Sequence, residues 1–470
     1  MNRQLSTYIL ATLISLLLFS CSEEEEFTTS ANAKLEFSVD TIQFDTLFNN
    51  VTSATERLIV YNRNNKGVRL TNVALKSGGG KGFRINVDGV FGNSISDVEI
   101  LGKDSIFIFA EVTAPDSSTD MLQHISDQIV FTLENGHTQS VVLDAHGQKA
   151  RSLYHEVISS DRSLSPELPY IIYDSLVVAK DAKLTIPAGC KLYFHSNASF
   201  IVHGSLSIEG ELNNEVLIRG DRMDRMFTYL PYDRLDSQWG GIQLTNSCSG
   251  CDINHADIHS GNFGIKCDSI QGELTILNSS IHNVGGDGLY VYASKAKVAN
   301  TQITNALFNC VSLSQANAEF THCTIVQFYP WAADGGPAVL IVQNEGSTFA
   351  SDVNFYNCFV TGYSDDELFA EFPEDTELNA HFYSCVLNTD VTDEKYFTNC
   401  VAESKDNDRY QDTNFRSINT DDYSYDFRLD SLSVARDKAS AEYSQKYPAD
   451  KNGVTRPMGK CDAGCYQSPL

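Results

Sequence analysis

Isoleucine recurs along the middle of this chain at a spacing that neither a helix nor a simple hairpin sheet requires. Ile258, Ile281, Ile303 and Ile325 stand 22 or 23 residues apart, and Val360 and Leu387 continue the column after longer insertions. A second apolar column lies five residues upstream, at Ile253, Ile276, Val298, Phe320, Phe355 and Phe382. Between the two runs a polar column, His255, Asn278, Asn300, His322, Asn357 and Ser384, followed at once by a small one, Ala256, Ser279, Thr301, Cys323, Cys358 and Cys385. Recurrence at this period in β-type runs predicts a solenoid in which each coil stacks like residue on like residue. A right-handed parallel β-helix fits the pattern: the apolar columns point inward as its core, and each coil hydrogen-bonds the next at about 4.8 Å.

The mid-column asparagines resemble the stacked corner ladder of the pectin-lyase-like fold, in which side-chain amides satisfy turn backbone groups. Residues 174–220, with Leu184-Thr185-Ile186-Pro187-Ala188-Gly189 and Gly204-Ser205-Leu206-Ser207-Ile208-Glu209-Gly210, look like the opening coils of bacterial right-handed β-helix proteins. The end of the chain resembles the terminal motif of that family. It carries Asp426-Phe427-Arg428-Leu429 with Ser433, Ala435 and Asp437, then Asp450, Gly453, Arg456 and Asp462-Ala463-Gly464-Cys465-Tyr466. Cys461 and Cys465 stand where relatives usually have aliphatic or small residues. The resemblance covers most of the chain from residue 154 onward, with the β-helix over 154–425 and its C-terminal segment over 426–470.

Ahead of the repeat, residues 34–148 read as short alternating runs broken by turn residues, the pattern of an antiparallel β-sandwich. Glu134-Asn135-Gly136 between two apolar runs marks a hairpin, because Asn-Gly readily takes the positive φ of a tight turn. The module resembles the immunoglobulin-like repeats that stand between a lipid anchor and a distal domain, and it contains no cluster suited to chemistry. The first twenty residues, with Arg3 before the apolar run from Tyr8 to Phe19, read as a signal peptide, since that run is too short to span a bilayer. Leu18-Phe19-Ser20-Cys21 resembles a bacterial lipobox, which implies acylation of Cys21 and membrane attachment through it. Ser22 and the four glutamates Glu23 to Glu26 open a tether over 21–33 that looks like the acidic export signal of Bacteroidota-type surface lipoproteins. The expected location is therefore the outer membrane, lipid-anchored and facing outward.

At 470 residues the chain is too long for one ordinary core. Its 42% hydrophobic and 20% charged residues are those of a folded soluble protein. A formal net charge of −27 argues against nucleic acid, which needs a basic face to release counterions from its phosphates. It equally disfavours a broad grip on polyanionic glycans unless Ca²⁺ bridges them. No motif indicates calcium, and no cofactor is expected. Apart from Cys21 there are eleven cysteines, an odd number, so some are free thiols.

Chemistry has to be argued apart from the fold, because the same solenoid carries lyases, hydrolases, adhesins and spacers. A lyase needs cations around a uronate, yet between Cys251 and Cys400 there are only Lys266, Lys295, Lys297 and Lys395 and no arginine. A hydrolase needs converging carboxylates, for which Asp287, Asp334, and Asp366 beside Asp365 are the candidates; Asp and Gly in these positions also simply make turns. The most unusual segment is 219–239. Its Arg222, Arg225 and Arg234 interleave with aspartates and with Tyr229, Tyr232 and Trp239, and guanidinium and aromatic planes side by side suit sugar rings and their hydroxyls or carboxylates. The competing reading is a loop held by its own salt bridges that caps the apolar edge of the coils. Trp331, in Phe328-Tyr329-Pro330-Trp331, is a candidate second wall of the same groove.

His259 and His282 share a column one coil apart; such a pair can bind metal, but it reads first as two solvent-exposed neighbours. Cys248 and Cys251 with His255 and Cys267 have zinc-like content, but Cys251 falls in a core column, and no metal site is expected. Cys323, Cys358 and Cys385 read as small hydrophobes filling a narrow column. The leading expectation is a surface lipoprotein whose β-helix binds an extended ligand, a polysaccharide. A glycan hydrolase or lyase is the alternative, and a non-catalytic spacer or adhesin the third.

Overall fold

The computed structural model describes residues 26–116, 120–332, 335–346, 349, 351–373, 377–403 and 414–469, so Cys21 and Asp334 lie outside the described residues. Two compact units divide between Gln148 and Lys149. Among the described residues no helix is long and apolar enough to cross a membrane.

The first unit packs two five-stranded sheets face to face. One runs Glu36–Phe37, Glu56–Tyr61, Ser105–Val112, Phe83–Val87, Val90–Gly92, and all its pairings are antiparallel. In the other, Thr41–Phe48 joins Thr138–Gln148 in parallel, and Gln123–Leu133, Val68–Leu75 and Ser94–Ile100 follow antiparallel. Strict alternation of buried and half-exposed residues along Gln123–Leu133 shows why these runs form strands with one face on a core, where Leu58, Val60, Leu70, Val73 and Phe131 are fully buried. The expected hairpin closes through residues 134–136, with Leu133 N donating to His137 O. Only Gly136 takes a positive φ, 84°, while Asn135 Oδ1 accepts from His137 N.

The second unit is the right-handed parallel β-helix. Its strands form an 18-stranded and a 10-stranded sheet in which every pairing of consecutive coils is parallel. The inward columns pair in the order read from the repeat. Ile258, Ile281, Ile303, Ile325, Val360 and Leu387 are successive cross-strand partners. So are Ile253, Ile276, Val298, Phe320, Phe355 and Phe382. Phe320, Phe355 and Phe382 stack ring on ring at 4.7 and 4.8 Å between centroids, the strand spacing itself, so the core packs at the coil period without adjustment.

Each member of the polar column turns a corner between two strands with φ near +50°, from His255 at 45° to Asn357 at 54°. Asparagine tolerates that region because its short amide hydrogen-bonds locally. Here the amides also run along the stack, Asn300 Nδ2 to Asn278 Oδ1 at 3.1 Å and Asn278 Nδ2 to Asn254 Oδ1 at 2.9 Å. The small column that follows does more than fill space. Ser279 Oγ accepts from Ala256 N at 3.1 Å, Cys358 Sγ from Cys323 N at 3.4 Å and Cys385 Sγ from Cys358 N at 3.4 Å, so thiols take over the role of the hydroxyl coil by coil. All eleven described cysteines are free thiols.

The C-terminal segment is a strap laid along the outside of the coils. Asn357 bonds Ser440, His322 lies within 2.9 Å of Ser444 Oγ, Asn300 Nδ2 donates to Ala449 O at 3.0 Å, and Lys451 pairs with Glu215 at 3.1 Å. The residues of the terminal motif hold the strap itself. Asp450 accepts from the backbone of Asn452, Val454 and Gln467, and Asp462 from that of Asp437 and Ser468. Phe415, Phe427, Leu429, Ala435 and Ala463 cover outward-facing Val326, Phe359 and Val386 in a small second core.

Candidate functional site

The face of the solenoid built from Val216–Gly220, Ala256–His259, Ser280–Val284, Gln302–Ala306, Thr324–Gln327 and Phe359–Gly362 points alternate residues outward. Where the C-terminal hairpin packs on it, Val326 and Phe359 point outward, while Thr324 accepts from Cys465 N of the strap at 3.0 Å. Farther back the outward residues are polar: Asp257, His259, Ser280, His282, Gln302 and Thr304. Loop 219–239 folds over one side of this polar stretch and the hairpin Phe415–Asn419/Ser424–Leu429 over the other. A cleft of about 290 Å³ remains between them. Its floor is His282, Gln302, Thr304 and Asn305, and its walls carry Asp233, Arg234, Tyr423, Ser424 and Tyr425. The Oδ1 of Asn305 is buried and finds no hydrogen-bond partner among the described residues.

Three segments far apart in sequence meet at the rim. Arg234 Nη1 donates to Asp422 O at 2.5 Å, Tyr329 OH donates to Asp236 Oδ2 at 2.6 Å, and Trp331 packs on Tyr423 with centroids 4.4 Å apart. Trp331 is 45% exposed there, and Tyr229 and Phe227 stand out in the exposed hairpin tip of the loop, stacked at 5.6 Å. Arg222 forks onto Asp224 and lies 3.7 Å from the Tyr232 ring centroid, and Arg225 Nη1 reaches Thr228 O at 3.3 Å. The loop thus holds its own shape and still presents Arg234 and its aromatic tip. Trp239 does not share that face. It is fully buried, stacked on Phe194 at 4.4 Å with Nε1 donating to His259 O at 2.8 Å, because it begins the next coil and fills its interior.

Beneath the loop lies a charged cluster. Asp233 accepts from buried Arg219 and lies 3.1 Å from His259 Nε2, while His259 Nδ1 is 3.0 Å from Asp257 Oδ1. His282 Nε2 is 2.9 Å from that same oxygen, and the two imidazoles stack at 4.6 Å. With carboxylates on both nitrogens His259 is an imidazolium. Burial opposes its charge, but Asp257 and then Asp233 hold its pKa up to about 9. Burial would raise the two carboxyls, and the cations facing them keep both below the usual carboxylate range. One Arg and one imidazolium therefore balance two carboxylates, the condition under which buried charge is tolerated. The reading of two solvent-exposed histidines fails for His259, which is 4% exposed because loop 219–239 covers it. Asp257 was not singled out from sequence, although Asp-x-His on a strand places both side chains on one face.

The remaining candidates are placed apart. Asp287 Oδ1 accepts from Asn309 N at 3.0 Å and Nδ2 at 2.8 Å, holding a corner, and burial raises its pKa. Asp366 Oδ1 accepts from Leu368 N at 3.0 Å. The two precede strands at equivalent register but three coils apart, roughly 14 Å at strand spacing. Paired glycosidase carboxylates stand about 5 to 9.5 Å apart. The neighbour Glu367, which sequence reasoning passed over, is fully buried; Ser364 N and Ala338 N donate to it at 2.7 and 2.8 Å, and burial lifts its pKa to about 7.

Residues 263–390 match the model of the right handed beta helix region. No curated protein matches the sequence significantly. Among solved structures, a protein of unknown function from Porphyromonas gingivalis W83 is 14% identical over 27% of this chain, with TM-score 0.19, and the chain spans 58% of that protein. Dex49A from Penicillium minioluteum is 10% identical over 73% of this chain and 67% of its own, with TM-score 0.17. The Agl-KA catalytic domain is 10% identical over 70% and 75%, with TM-score 0.19. Superpositions this loose carry no argument about chemistry.

Proposed function

We propose that this protein is a lipid-anchored surface protein whose β-helix binds a stretch of polysaccharide in the cleft between loop 219–239 and the C-terminal hairpin. The observation that carries the reading is the placement of Arg234 and Tyr423 over a floor of hydroxyl, amide and imidazole groups, with Trp331 packed on Tyr423 at the rim. Flat rings beside a few fixed donors and acceptors are what a sugar face and its hydroxyls require. Binding is favoured over cleavage because Asp233, the one carboxylate lining the cleft among the described residues, is engaged by Arg219 and His259.

Affinity electrophoresis of the purified protein through gels containing neutral or acidic polysaccharides tests this. At least one polysaccharide should retard the protein, and the double variant Trp331→Ala/Tyr423→Ala should weaken retardation at least tenfold while the thermal midpoint stays within a few degrees. Unchanged retardation in that variant, or retardation by none of the panel, refutes the assignment.

A further inference from the structure

We propose that Asp257, His259 and His282 bind a divalent transition-metal ion of the zinc class, with Asp233 positioning the buried histidine from behind. Oδ1 of Asp257, Nδ1 of His259 and Nε2 of His282 all lie within 4.8 Å of one another. The carboxylate oxygen is 3.0 and 2.9 Å from the two nitrogens. Ligand atoms around a tetrahedral ion with ~2.1 Å bonds are separated by roughly 3.4 Å, so Asp257 must withdraw by about half an ångström and the two nitrogens, within 4.8 Å of each other, must close by up to about 1.4 Å as the ion enters. The stacking of the two rings, 4.6 Å apart and 22° from parallel, turns one nitrogen of each toward the same carboxylate.

Two further observations separate this cluster from a chance gathering of polar groups. Asp233 accepts from His259 Nε2, itself held by Arg219, and so commits Nδ1 to the face of Asp257; this is the carboxylate–histidine arrangement that orients metal ligands. His282 also lines the cleft, which gives the fourth coordination position a route to solvent or to a ligand oxygen. Two imidazoles and one carboxylate suit Zn²⁺ and its neighbours better than Ca²⁺ or Mg²⁺, which take oxygen ligands. The protons that Asp257 now holds on the two rings are displaced as the ion enters, one to solvent and one to the far nitrogen of His282. The inference does not rest on glycan binding, and either can fail alone.

The full chain, stripped with EDTA, is titrated with ZnCl₂ by calorimetry and with CoCl₂ by visible absorption. One ion per chain with a micromolar or tighter Kd, and cobalt bands of a four- or five-coordinate site, are expected. His282→Gln should weaken binding at least tenfold, and Asp233→Asn, which touches no ion, by about tenfold. Asp257→Asn replaces His282→Gln if the latter loses the native tryptophan emission. No saturable uptake, or uptake unaltered by whichever ligand variant folds, overturns the proposal.

Discussion

Glu367 makes the stability of the solenoid depend on pH in a direction opposite to that of most carboxylates. Its side chain points inward beside Leu368, and two backbone N–H groups at 2.7 and 2.8 Å favour the ionised form. Burial outweighs them, and the folded-state pKa rises from 4.5 to about 7. Below pH 4.5 both folded and unfolded chains carry the proton, and the full stability is present. Between pH 4.5 and 7 the folded chain retains a proton that the unfolded chain releases, so stability falls as pH rises, and above pH 7 the fall stops. At about 1.4 kcal/mol per pH unit the loss from this group is roughly 3 kcal/mol. Glu367→Gln removes the titration. It also leaves one N–H donor facing an amide, at a pH-independent cost of about 1–3 kcal/mol. Both tryptophans, Trp239 and Trp331, belong to the second unit, so urea unfolding followed by tryptophan emission reads the solenoid alone. The stability gap between wild type and variant should move by roughly 3 kcal/mol in the variant's favour between pH 4.5 and 7.5. A gap that stays constant refutes the argument that burial governs this carboxyl.

Phe355→Ala removes the middle ring of a stack in which no member is more than 3% exposed, and should cost about 3–5 kcal/mol in the same urea assay; a loss below 1 kcal/mol would mean that the coils close the gap. Cys21→Ala should abolish incorporation of labelled palmitate and release the protein from the membrane fraction, and undiminished labelling would remove the lipid anchor from the proposal.

The solenoid was legible in the sequence because stacking converts sequence period into spatial contact. Ile258 meets Ile281 and Phe320 meets Phe355 for the reason that each stands at the same step of its coil. The corner ladder followed from the same logic. The cleft was less legible, since nothing periodic links Arg234 to Asp422 or Trp331 to Tyr423; those contacts arise where an insertion and a strap are draped over a regular face. Composition drew attention to loop 219–239, yet composition alone does not tell which aromatic rings look outward. Trp239 belongs to the next coil, as the glycines Gly240 and Gly241 before the strand Ile242–Leu244 mark in retrospect. The burial of His259 likewise follows from a loop whose path the sequence does not specify.

The strap sets the order in which this molecule can be completed. A bare solenoid gains each coil from its neighbour and can unravel from either end. Here Lys451 returns to Glu215 across 236 residues, and the hairpin that walls the cleft is synthesised only after the described coils. A nascent or truncated chain ending before Phe415 would own the floor of the cleft and one wall but not the other. A molecule cut between the coils and Phe415 would keep its coils and lose that wall, so the binding proposed for the cleft would report that the strap has docked.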